Sequence, residues 1–309
     1  ALVISSSVFP TPEKTIFLEW IPAFIAFSNS PIDTTSAPDP IFLNSLSKVR
    51  FELDFTEKHI RESLEGAIKE VHERLLDIGN KKEEVLLREF GTTLIAAVLW
   101  GGNRLTVANV GDSRAILCRK SMSSEGIANW RAKPMSVDHT LYRSDEKTRI
   151  GKTKGKVIAG SNGDRRIIPC SEDYPTSVVK EQKLALAMSR SLGHVILSKY
   201  GVSQDPEFIS TYVQNDDILI LASDGLWSMM TNEEVLQIAI AQTNPQYVAR
   251  ALAREVEKRC NTKRVKSDNT TILVIKIDYL QTVEVKVDTA TDKDELSESG
   301  SEDDGGDTR

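Results

Sequence analysis

Asp216-Asp217-Ile218-Leu219-Ile220-Leu221-Ala222-Ser223-Asp224-Gly225-Leu226-Trp227-Ser228 is the stretch that decides how this chain is read. The apolar run Ile218–Ala222, bounded by polar residues, reads as a fully buried β-strand. It ends in Ser223-Asp224-Gly225, so a carboxylate and a flexible glycine stand where the strand leaves the core. A buried strand can hold a carboxylate in the fixed position that metal chemistry requires. Taken singly, an Asp there is equally ordinary turn chemistry.

Two further acids share this setting. Phe90-Gly91-Thr92-Thr93 leads into the apolar run Leu94–Trp100, and Gly101-Gly102-Asn103 is a hairpin signal. Arg104–Val110 follows as a strand, then the turn Gly111-Asp112-Ser113, then Arg114–Cys118; three antiparallel strands in a meander are expected. Ser267-Asp268-Asn269 precedes the β-branched run Thr270–Ile277, a core strand by composition. Asp112, Asp224 and Asp268 therefore all stand at strand ends. Together they suit a hard divalent cation, which takes oxygen ligands on a rigid frame.

Ile60, Leu64, Ala67, Ile68, Val71, Leu75 and Ile78 fall at helical spacing, with Thr56 as N-cap and Gly79 as stop. Thr231-Asn232-Glu233-Glu234 is a capping box opening a helix over 232–241, and Asn244-Pro245 opens another. Residues 119–185 are polar and irregular, and predict a surface subdomain or long flap with little core of its own. Residues 1–40, with six prolines, read as a loosely ordered N-terminal segment. Val283, Val285 and Val287 alternate as in a short extra strand.

The chain has 309 residues and a formal net charge of −6. Residues 288–309 carry nine acids and two bases, so the acidity belongs to a tail and the body is near neutral. Such a tail is expected to be disordered. Ser297, Ser299 and Ser301 lie there among acids, as substrates of an acid-directed kinase do. The body shows no nucleic-acid footprint. No apolar stretch reaches the length of a membrane span. The three cysteines, Cys118, Cys170 and Cys260, form neither a disulfide framework nor a zinc spacing. A monomeric chain in the cytoplasm or nucleus is expected. It begins with Ala1, as a fragment or processed form would. His59 and His72 fall on a helix and read as solvated.

The motifs carry a resemblance. Phe90-Gly91-Thr92-Thr93, Ala108-Asn109-Val110-Gly111-Asp112-Ser113-Arg114, Val137-Asp138-His139, Leu186-Ala187-Met188-Ser189-Arg190-Ser191-Leu192-Gly193, Ala222-Ser223-Asp224-Gly225-Leu226-Trp227 and Ser267-Asp268-Asn269-Thr270-Thr271 stand in order. Residues 90–277 resemble the metal-dependent protein serine/threonine phosphatases, the PPM or type 2C family. The resemblance implies an α+β fold, a four-layer α-β-β-α sandwich of two antiparallel sheets covered by helices, spanning 41–287. It implies two ions, Mg2+ or Mn2+, that activate a water to attack phosphoserine or phosphothreonine of a phosphoprotein. By motif, Asp224 and Asp268 would ligate one ion, and Asp112 would serve a third, weaker site with Asp224.

The resemblance is incomplete at the N-terminal side. The family's Asp-Gly-His-Gly strand, whose Asp bridges the metals, has no counterpart in residues 1–55, which hold no Asp-Gly dipeptide and no histidine. His194 stands where the family has Asp, and reads as a helix-end histidine bonded to backbone or solvent rather than a new ligand. Ser228 stands where Asp often follows the Trp. Weak or absent phosphatase activity is expected. Two readings remain: a phosphatase whose first motif is not in this sequence, or a pseudophosphatase serving as a protein-binding scaffold.

Overall fold

Side chains alternate along the strands, and that alternation sorts them into layers. The computed structural model describes residues 2–4, 24–25, 56–81, 90–122, 128–159, 163–170, 172–174, 177 and 184–278. In chain order the strands are β1 (Leu2–Ile4), β2 (Phe24–Ile25), β3 (Gly91–Thr92), β4 (Leu94–Trp100), β5 (Arg104–Val110), β6 (Arg114–Met122) and β7 (Ala128–Pro134). They continue with β8 (Lys156–Ala159), β9 (Arg165–Ile168), β10 (Leu192–Gly193), β11 (Glu207–Tyr212), β12 (Ile218–Ala222) and β13 (Ile272–Lys276). The helices are α1 (Glu57–Asn80), α2 (Ser144–Ile150), α3 (Asp224–Trp227), α4 (Asn232–Ile240) and α5 (Pro245–Lys263).

One sheet runs β11-β5-β4-β1-β2 and the other β13-β12-β6-β7. All pairs are antiparallel except β1 with β2. Ile95, Ala97, Leu105 and Val107 of the first sheet meet Ala115, Leu117, Leu219 and Leu221 of the second in the central layer. The alternate residues Leu94, Ala96, Ala108 and Val110 face Ile60, Leu64, Ala67 and Ile68 of α1. On the far side Ile116, Cys118, Ile218 and Ile220 pack on Val235 and Leu236 of α4 and Val248, Leu252 and Val256 of α5. Period-2 strands between period-3.6 helices thus give the four layers α-β-β-α.

Several expectations change. The chain from β4 to β6 is no single-sheet meander: β4 and β5 form a hairpin, but Gly111-Asp112-Ser113 carries the chain into the other sheet. Residues 119–122 continue β6 and residues 128–134 return antiparallel as β7 at the sheet edge, with Lys120, Ser121, Asn129, Arg131 and Lys133 exposed. The flap has its own core, with Leu141, Ile150, Ile167, Leu186 and Met188 in one cluster and Ile168, Cys170, Leu184 and Tyr200 in another. Isolated apolar residues in a polar run hide that core from periodicity. In residues 1–40, read as loosely ordered, β1 pairs with β4 and β2 with β1. The possible strand at Val283–Val287 and the acidic tail lie outside the described residues.

Local capping follows the sequence with one surprise. Thr231 and Glu234 form the expected box on α4, and the Asn244 side chain caps α5. On α1 the Thr56 hydroxyl accepts from the His59 N–H, and His59 Nδ1 accepts from the Thr56 N–H, so imidazole does what Glu usually does. His59 is thus a cap rather than merely solvated. Gly79 is buried in the last turn, and the helix runs on to Asn80. Among the described residues no helix is long and apolar enough to cross a membrane. All three cysteines are buried and free.

Leu221 is fully buried between the sheets. Leu221→Ala should destabilise the chain by ~2–5 kcal/mol through lost burial and a residual cavity. Urea denaturation followed by tryptophan fluorescence would measure it, with exposed Leu99→Ala changing stability little.

Candidate metal centre

Register brings the strand ends together. Arg114, the first residue of β6, pairs with Ala222, the last of β12, and Ala222 pairs with Ile272, the first of β13. Asp112 lies just before the first of these, Asp224 just after the second and Asp268 shortly before the third. Antiparallel pairing therefore delivers all three to one edge of the sandwich.

The backbone at each acid is tied down. Gly111 has φ +113°, and a Cβ there would sit 2.4 Å from Thr93 Cγ2, so the corner before Asp112 needs glycine. The Thr93 and Ser113 hydroxyls are 2.8 Å apart across it. His139 clamps the same corner: the Gly111 N–H donates to its Nδ1 at 2.9 Å, and its own N–H donates to the Gly111 carbonyl at 2.9 Å. At Gly225 a Cβ would meet the Asn269 carbonyl oxygen at 2.6 Å. The Ser223 hydroxyl donates to that carbonyl and accepts from the Thr271 N–H, joining the Asp224 turn to the Asp268 loop. Trp227 Nε1 donates to the Ala222 carbonyl, pinning α3 to the strand it follows.

The electrostatics are unfavourable without a counter-charge. Burial, reinforced by repulsion from Asp224, pushes the Asp112 carboxyl up to about 7. Burial, with repulsion from Asp268, pushes Asp224 up to about 6. Asp138 adds to both. Asp138 is itself matched by Arg114, which donates to it from Nε at 2.9 Å and from a terminal nitrogen at 2.7 Å. The same guanidinium donates to Asn232 and lies over the Trp227 ring. Asp268 is exposed and accepts from the Asn269 N–H at 2.7 Å.

An all-oxygen donor set under mutual repulsion fits a hard cation such as Mg2+ or Mn2+. The fit is open, because the three carboxylates do not bring a ligand atom each within 4.8 Å of one another. Among the described residues only Asp145, Glu146 and Glu207 do so. There the cationic role is filled by arginine. Arg143 contacts Asp145 and Glu207, Arg190 contacts Glu146 and Glu207, and Arg149 contacts Glu146. Burial works to raise the Glu146 carboxyl, but the Arg190 and Arg149 donors prevail and hold it well below the usual carboxylate range. That cluster is an ion-pair network, not a second metal site.

The remaining histidines lie inside. His72 is buried, against the expectation of a solvated position: its Nδ1 accepts from the Gly193 N–H across the groove between α1 and β10. A helix stripe read from aliphatic residues alone missed it. His194 is buried with φ +52°, and its Nδ1 lies 2.7 Å from the Ser191 hydroxyl. Its N–H donates to the Phe90 carbonyl, so it is bonded to backbone, though in the turn after β10 rather than at a helix end. Burial pushes it down to about 4. Ser228 is exposed just after α3.

With this geometry in place, the comparisons with known proteins decide the family. The model of protein phosphatase 2C matches residues 42–267. The chain belongs to the protein phosphatase 2C family. It is 33% identical over 217 residues to a rice protein, Oryza sativa subsp. japonica "Probable protein phosphatase 2C member 13, mitochondrial", covering 70% of this chain and 51% of that one. It is 38% identical over 177 residues to "Protein phosphatase 2C 56" of Arabidopsis thaliana, covering 57% and 34%. The chain thus spans about half or less of the length of these curated relatives. The serine-threonine phosphatase 2C of Toxoplasma gondii superposes with a TM-score of 0.61 at 22% identity, over 77% of this chain and 75% of that one, and shows the shared fold.

A pH prediction follows for the metal-free protein. The folded pKa values of Asp112 and Asp224 lie above the ordinary carboxylate value, so the folded state binds their protons more tightly than the unfolded state. Stability from this pair is present below about pH 4 and is lost as pH rises through 6 and 7. Asp112→Asn should therefore remove part of that decline and raise stability at pH 7.5 by ~1 kcal/mol, a value discounted because the edge is partly solvated. Thermal melts at pH 5 and 7.5 in chelator would read the difference.

Proposed function

We propose that residues 41–287 form a protein phosphatase 2C-type domain for hydrolysis of phosphoserine and phosphothreonine, and that this chain as written performs it weakly or not at all. The observation that supports the chemistry is the convergence of Asp112, Asp224 and Asp268 at one sandwich edge. Asp224 and Asp268 would hold one Mg2+ or Mn2+, and Asp112 with Asp224 a weaker one. When bound, such an ion lowers the pKa of a coordinated water and neutralises charge on the phosphoryl group.

The chain's own residues position and orient. Asp224 and Asp112 bind through carboxylates whose backbones are fixed by Gly225 and Gly111. Arg114 orients Asp138 and packs on Trp227, so it is committed and does not reach out to a phosphate. His139 is held neutral by burial, which pushes it down to about 4, with Nδ1 occupied by the Gly111 N–H. His194 is equally enclosed. Neither is placed to hand a proton to a leaving group. Residues 1–55 also contain no Asp-Gly pair to supply a bridging carboxylate. These features support low turnover, and equally support a second reading in which the domain acts as a pseudophosphatase scaffold. Phosphoproteins are its partners in either case, bound by a monomer in the cytoplasm or nucleus.

The test is Mn2+-dependent release of phosphate from a phosphoserine peptide, run beside Mn2+ titration by paramagnetic resonance. We expect weak ion binding, weakened further by Asp224→Asn, and phosphate release at background. Robust Mn2+-dependent turnover that Asp224→Asn abolishes would overturn the low-activity part. Mn2+ binding unaffected by Asp224→Asn would overturn the assignment of the centre.

A further inference from the structure

We propose that the acidic segment 288–309 docks in cis along the basic outer face of α5. Residues 245–266 carry seven basic residues against two acids, Glu255 and Glu257. Tyr247, Arg250, Arg254 and Lys258 share the solvent-facing side of the helix and line one groove. From the last residue of the helix onward, Lys263, Arg264 and Lys266 continue the charge through an exposed stretch to Asp268.

Local acids leave most of this charge unmatched. Glu255 is taken by Arg259 and Lys258, and Glu234 by Arg259. Among the described residues Arg254, Lys263, Arg264 and Lys266 have no ion-pair partner.

Geometry brings the tail to the start of this track. The paired strands leave β13 at Lys276, which bridges Asp216 and Asp278. Lys276 lines one recess with Pro245 and Val248, at the first turns of α5. The described chain therefore exits beside the N-terminal end of the basic face. Residues 279–287 can span up to ~30 Å, and α5, with 19 residues, is ~28 Å long. The segment that follows holds nine acids and two bases. Tethering keeps its effective concentration high, so modest charge pairing is enough to seat it. Followed from exit to end, the track leads toward the edge that holds Asp268.

Carbodiimide cross-linking of the full chain, with peptide mass mapping, tests this. At low salt we expect the amines of Lys258, Lys263 and Lys266 to join carboxylates within 292–304. Lys58 and Lys69, exposed on α1 in the opposite layer, should stay unlinked to that segment. The links should fall several-fold in about 0.5 M salt, where screening shortens the reach of charge, and in the Arg250→Glu/Arg254→Glu variant, which keeps every cross-linkable lysine. Tail links to Lys58 and Lys69 as frequent as those to α5, links indifferent to the variant, or links found only in dimers and lost on dilution would each overturn docking in cis.

Discussion

The site edge depends on one tight corner, where the chain leaves β5 in one sheet and enters β6 in the other. Gly111 makes that crossing possible, because Thr93 fills the space a Cβ would need and the backbone takes a positive φ. His139 then holds the corner by two backbone hydrogen bonds. Once β6 starts at Arg114, its pairing with β12, and that of β12 with β13, fixes where the Asp224 turn and the Asp268 loop emerge. The three carboxylates are neighbours because of strand register, which the inter-sheet core enforces: a one-residue slip would turn Leu219 and Leu221 away from Ala115 and Leu117.

Two acid groups show how differently this fold treats carboxylates. Glu146, Glu207 and Asp145 lie closer together than the three at the edge, yet Arg143, Arg149 and Arg190 neutralise them. That network stitches α2 to the 189–191 segment and to β11, so it fastens the flap to the sandwich. At the edge Arg114 is spent on Asp138. Asp112 and Asp224 are left to repel each other, which is tolerable only if they stay partly protonated or meet a cation.

Much of this was legible in the sequence, for identifiable reasons. Ile218–Ala222 reads as buried because every residue is apolar, and it is buried throughout. Helix starts at Thr231 and Asn244 follow from capping chemistry that acts within one turn. The crossing at Gly111 was not legible: Gly-Asp-Ser signals a turn, but which sheet the next strand joins is decided by long-range pairing. The burial of His72 was also hidden, since its partner, the Gly193 N–H, lies 121 residues away. His59 as a capping partner was missed because the usual signature at that position is Glu or Gln. The flap core escaped because its apolar residues come from segments far apart in the chain.

The departure at His194 bears on function through what it does to packing. His194 is enclosed against Gly91, where a Cβ would sit 2.1 Å from its ring nitrogen, and it bonds to Ser191. The imidazole is therefore accommodated within the turn, its Nδ1 engaged with the Ser191 hydroxyl. The corner and the loop ties at Ser223 and Trp227 are held by hydrogen bonds between protein groups. None of the interactions that hold the edge together requires an ion. Such a frame persists whether or not its carboxylates complete a metal shell, and so retention of the fold cannot stand as evidence of turnover. In the proposed function the chemistry rests on a few oxygen atoms at one edge, and among the described residues Asp112, Asp224 and Asp268 form no ion pair.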